Sequence, residues 1–96
     1  MIIARQFVRA AFSVGANLHE AIAGESRADF THKYLIALKE AHEANYWLVL
    51  LRDSGVVPKQ RIQPLIQETE EICKIIGAIT SRMRRTTRPP SPSLEK

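Results

Sequence analysis

Three histidines, one cysteine and ten acidic residues are the groups in this chain that could do chemistry, and their spacing assembles no site. His19-Glu20 lacks the second histidine of a zinc-binding H-E-x-x-H helix, and no Glu-x-x-His pair of the di-iron type exists. Asp29 and His32 share a helix face, but two ligands do not make a metal site. Nothing local activates Cys73 as a nucleophile. It lies on an apolar stripe, where a free cysteine behaves as a small hydrophobe. No Gly-rich phosphate loop, zinc-finger spacing or RNA-binding strand motif occurs. The expectation is a non-enzymatic protein with no cofactor, metal or small-molecule substrate.

The cations are more informative. Residues 1–81 hold nine Lys or Arg against nine Asp or Glu. Arg82, Arg84, Arg85, Arg88 and Lys96 against Glu95 supply the whole net charge of +4. A basic end suits nucleic acid or an acidic surface. Its ordinary alternative is a solvated helix end whose cations complement the macrodipole. Arg5 and Arg9, one turn apart near the start, form a second basic pair. In an antiparallel arrangement of three helices the two sets fall at opposite ends. An oligomer would multiply either into a charged rim able to hold RNA or DNA by counterion release.

Three helices must position these groups. The first spans about Ile3 to Ala23, with Ile3, Phe7, Ala11, Val14, Leu18 and Ala21 on one stripe. Gly15 costs about 1 kcal/mol against Ala there, so it is read as a point of close helix approach, with a functional kink as the rival. Gly24 ends this helix as a C′ residue, and Ser26 with Asp29 opens the next in a variant capping box. The second helix carries Phe30, Tyr34, Ala37, Ala41, Ala44, Leu48 and Leu51 at heptad spacing. Tyr46 to Leu51 is apolar on every side, and such a helix needs cover on more than one face. Tyr46, Trp47, Val49 and Leu50 are therefore the expected oligomer interface.

Gly55 closes the second helix. The third runs from about Gln60 to Arg85, with Ile62, Leu65, Thr69, Ile72, Ile76, Ile79 and Met83 as its stripe. Pro64 is placed in its first turn, though a helix starting before Gln60 would instead be kinked by it, and Gly77 is read as a second close-packing glycine. The fold class is all-α, an antiparallel up-and-down bundle of three long helices that oligomerises. Residues 1–85 form the helical domain and 86–96 a flexible Pro/Ser-rich basic tail. One cysteine fits a reducing compartment, and no segment has the apolar length of a membrane span or the pattern of a signal peptide. A cytoplasmic location is expected.

Two segments carry a family resemblance. Phe7-Val8-Arg9-Ala10-Ala11-Phe12-Ser13-Val14-Gly15-Ala16-Asn17-Leu18-His19-Glu20-Ala21 is the first. Phe30-Thr31-His32-Lys33, then Ala37-Leu38-Lys39-Glu40-Ala41 and Tyr46-Trp47-Leu48, is the second. Together they resemble the four-helix bundle proteins encoded in intervening sequences of bacterial 23S ribosomal RNA, which include the accessory protein of diversity-generating retroelements. The resemblance covers about Phe7 to Met83. It implies a homopentameric barrel and, in the retroelement branch, binding to nucleic acid and to a reverse transcriptase. Family members carry a further amphipathic helix before the first segment, whereas six residues precede Phe7 here. Either the chain starts late or it is a shortened, three-helix member. A missing helix would expose Ile2, Ile3, Phe12 and Ile22 for a neighbouring subunit to bury. The alternative function is a structural or protein-interaction module that binds no nucleic acid.

Overall fold

The structure, a computed structural model, describes residues 1–24 and 26–87. These residues form three helices and no strand: α1 (Ile2–Ala23), α2 (Arg27–Ser54) and α3 (Lys59–Thr87). Thr86 and Thr87, expected to open the tail, are the last residues of α3, and Arg88 and the remainder of the expected tail lie outside the described residues.

Local chemistry sets the helix ends. The Ser26 hydroxyl accepts a hydrogen bond from the Asp29 backbone N–H at 3.0 Å, satisfying a donor that the first turn of α2 would leave unpaired. Gly55 ends α2 in the left-handed region at φ 76°, where a side chain is strained. Gly24 does not act in this way. Its backbone is extended, at φ −68° and ψ 159°. A Cβ there would make the Asp29 carboxylate swing aside and would press on the Ala21 carbonyl. α3 begins at Lys59, so Pro64 sits beyond the first turn and leaves the exposed Gln60 carbonyl without its helical donor.

α2 is the hub. Arg9 pairs with Glu43 and Lys33 with Glu20, so α1 and α2 run antiparallel. Asn45 Nδ2 donates to Thr69 Oγ1 at 2.6 Å and Arg52 to Gln63 at 3.2 Å, so α2 and α3 do too. Ala37, Ala41, Ala44, Leu48 and Leu51 of the expected heptad are all buried, and the alanines let both neighbours approach closely. One core cluster joins Leu48, Leu51, Ile62 and Ile66, with Ile3, Phe7, Val49 and Val57 against it. The other joins Ala37, Ala41 and Ile76, with Val14, Leu18, Tyr34, Leu38 and Cys73 against it.

Among the described residues α1 and α3 pack on α2 but not on each other. The result is an open slab, 57 × 29 × 18 Å, rather than a closed three-helix bundle. An apolar groove of about 210 Å³ runs between α1 and α3, walled by Phe7, Ala11 and Val14 on one side and Leu65 and Ile72 on the other. Among the described residues no helix is long and apolar enough to cross a membrane.

Candidate nucleic-acid interface

Antiparallel packing brings the start of α2 beside the end of α3. Arg84 and Arg85 stand in the last turns of α3, where cations complement the carbonyl end of the helix dipole. They line an open recess of about 580 Å³ together with Thr80, Ser81, Leu35 and Leu38, and among the described residues no carboxylate lines it. Arg85 donates to the Ser81 hydroxyl at 3.1 Å, which tethers the guanidinium at the recess wall. The buried Thr80 hydroxyl donates to the Gly77 carbonyl at 3.0 Å and so serves the helix.

Arg82 is two residues from Arg84, about 200° around the helix, and projects from the opposite side of α3. Arg27, at the first residue of α2, lies beside Met83 at the edge of a second recess. Sequence reasoning missed Arg27 because its proximity to the C-terminal arginines exists only once the chain folds back. Thus Arg27, Arg84 and Arg85 share one end of the molecule, Arg84 and Arg85 on one recess and Arg27 on the other, and Arg82 lines neither.

Arg5 and Arg9 are at the other end of α1. Arg5 is exposed. Arg9 is engaged: Nη1 meets Glu40 at 3.0 Å and Nη2 meets Glu43. Glu43 also accepts from the Trp47 indole N–H at 3.1 Å. That hydrogen bond comes first, with Arg9 and Lys39 adding to it, in holding the Glu43 carboxyl below its ordinary range. Lys33 similarly lowers Glu20, mainly through a hydrogen bond across 2.7 Å. These pairs lock α1 to α2, and Arg9 presents no open guanidinium as Arg5 does.

The four expected interface residues separate. Tyr46 is 56% exposed and contacts Trp47 edge-on. Trp47 is half-buried and donates its indole N–H to Glu43, while Val49 packs on the first core cluster. Leu50 is half-buried. The apolar surplus lies elsewhere as well: Ile2, Phe12 and Ile22 on α1 are three-quarters exposed. Ile3, grouped with them from sequence, packs against the core. Gly15 is exposed and a Cβ there would meet nothing within 4 Å, which overturns its reading as a close-packing glycine within the chain. Gly77 is only in ordinary contact range, with Leu38 Cδ1 at 3.9 Å from an added Cβ.

Among the described residues no group of three His, Cys, Asp or Glu is placed to hold a metal. Cys73 is half-buried, and burial, with a smaller contribution from Glu70, pushes its thiol pKa up. A raised pKa keeps sulfur as the less reactive thiol.

A crystal structure from Bacteroides thetaiotaomicron, described as a protein of unknown function from the S23 ribosomal protein family, superposes with a TM-score of 0.80 at 37% identity. The match covers 84% of this chain and 72% of that one. No match was found among curated proteins. The family model described as 23S rRNA-intervening sequence protein matches residues 1–78, which span α1, α2 and most of α3. On this match over most of its length, the chain belongs to the 23S rRNA-intervening sequence protein family.

Proposed function

We propose that this chain is a non-enzymatic, cytoplasmic helical module that assembles with copies of itself and binds nucleic acid by charge and shape. One observation supports the reading: Arg84 and Arg85 line a recess at one end of the slab, and Arg27 lines a second recess at the same end. Guanidinium groups there suit phosphate oxygens, and the absence of a base-reading motif makes the contact sequence-tolerant. The family name, tied to ribosomal RNA, supports an RNA partner. The further expectations of a fivefold assembly and a reverse transcriptase partner come from the resemblance.

A second reading has its own support. The apolar groove between α1 and α3 suits a protein helix, as an interaction module without nucleic-acid binding would require. RNA and DNA binding measured across a salt series separates the two. Replacing Arg27, Arg84 and Arg85 with Ser should weaken binding about equally for all sequences. It should flatten the salt dependence by about one unit of slope per lost phosphate contact. Failure of the unaltered protein to bind at low salt would leave the interaction module standing.

A further inference from the structure

Glycine disfavours a helix relative to alanine, so Gly77 inside α3 needs a reason. Packing within the chain does not supply one, since an added Cβ would meet only Leu38 Cδ1, at an ordinary 3.9 Å. What the glycine keeps clear is the arginine-lined recess, where Leu35 and Leu38 of α2 stand opposite it. A larger side chain at position 77 would fill that apolar floor. The recess also continues along the two helices. His42 follows Leu38 by one turn on α2, and Lys74 precedes Gly77 by about one turn on α3. Both line a further recess of about 450 Å³ with Asn45, Cys73 and Glu70. The two recesses make one trough along the α2–α3 junction, and it shares no residue with the groove between α1 and α3. Lys74 and Arg85, both exposed, stand eleven residues apart, about 16 Å along one face of α3. Among the described residues Glu70, beyond Lys74, is the one carboxylate in the trough wall.

We infer that this trough is a seat for single-stranded nucleic acid. One unpaired base lies on the floor made by Leu35, Leu38 and Gly77, and its flanking phosphates meet Arg85 and Lys74. The inference rests on the nucleic-acid reading and adds strandedness to it. A duplex presents phosphates on a convex cylinder and keeps its bases stacked inside, so it would use the rim cations and leave the apolar floor empty. An unpaired nucleotide uses both. Its base has an apolar face for the two leucines and the bare glycine backbone. The next base has the His42 imidazole or the Arg85 guanidinium plane to stack on. Arg85 is already steadied by its bond to Ser81, which lowers the cost of ordering it on a strand. Glu70 repels phosphate and ends the track beyond Lys74.

The test is fluorescence anisotropy on the full chain at low salt, with three probes of equal length: oligoadenylate, an abasic strand and an RNA duplex. Oligoadenylate should bind about tenfold tighter, or more, than the abasic strand. It should also bind tighter than the duplex, despite the duplex's denser phosphates. Gly77→Leu should bring oligoadenylate down to the abasic level with an unchanged circular dichroism spectrum, because leucine suits a helix and the added Cβ makes only ordinary contact. Lys74→Ser should flatten the salt dependence of oligoadenylate binding by about one unit of slope. Three results would overturn the inference alone: an abasic strand or duplex that binds as tightly as oligoadenylate, a folded Gly77→Leu variant with unaltered affinity, or a salt slope untouched by Lys74→Ser. Nucleic acid would then be held elsewhere or by charge alone, and the broader reading would stand. Failure of the unaltered protein to bind any of the three probes would overturn both. The abasic comparison uses the unaltered protein and so decides the matter even if Gly77→Leu does not fold.

Discussion

At the residue scale, the polar bonds that matter most to the fold link α1 to α2. Arg9, Glu40, Glu43 and Trp47 form one network and Glu20 with Lys33 another. Trp47→Phe keeps an aromatic ring but removes the indole hydrogen bond that does most to lower the Glu43 pKa. The Glu43 carboxyl should then titrate closer to its ordinary 4.5, read by NMR of the side-chain carbon. Depressed carboxylates stabilise the fold fully above their unfolded value and lose that contribution as pH falls through the folded one. Melting temperature should therefore decline on acidification below about 4.5, and Glu20→Gln should remove part of that slope. The two special glycines give opposite outcomes. Gly15→Ala should stabilise by up to about 1 kcal/mol in urea unfolding, since the site is helical and open. Gly55→Ala should destabilise by about 1 kcal/mol, since φ there is positive.

At the element scale, α3 shows how a helix with apolar residues on two sides hides its orientation. The expected stripe included Leu65 and Ile72, yet both are exposed, while Ile66 and Thr80 are buried in their place. The two seams overlap in type and spacing, and only contact with α2 chooses between them. Ile66→Ala should cost about 2–5 kcal/mol, whereas Leu65→Ala, one residue away, should stay within about 1 kcal/mol. Equal losses in chemical denaturation would show that α3 is rotated from its described position.

At the scale of the whole molecule, α2 alone holds the slab together, because α1 and α3 do not pack on each other. Ala41 is buried beside both flanking helices and lies in the floor of the groove. Ala41→Leu should push the layers apart and cost about 1–3 kcal/mol, measured as a lower urea midpoint at constant slope. The open groove and the exposed Phe12 and Ile22 also leave more apolar surface than a domain of this size covers by itself.

The sequence alone determined the three helices, the Ser26 cap, the Gly55 stop and the buried face of α2. Each depends on residues within a turn or two of one another, where periodicity and capping chemistry act directly. The resemblance carried by the Ser-Val-Gly-Ala-Asn segment and by Tyr46-Trp47-Leu48 was legible for the same local reason. Tertiary structure decided the rest. Gly24 ends α1 in extended backbone rather than a left-handed turn, a choice that depends on how the chain turns into α2. Arg9 was indistinguishable from Arg5 until α2 placed Glu40 and Glu43 beside it, and Arg27 joined Arg84 and Arg85 only through the antiparallel fold. Which apolar face is core and which remains open depends on distances between helices. A one-dimensional pattern does not contain them, because an isoleucine has the same periodicity whether its neighbour is its own chain or another.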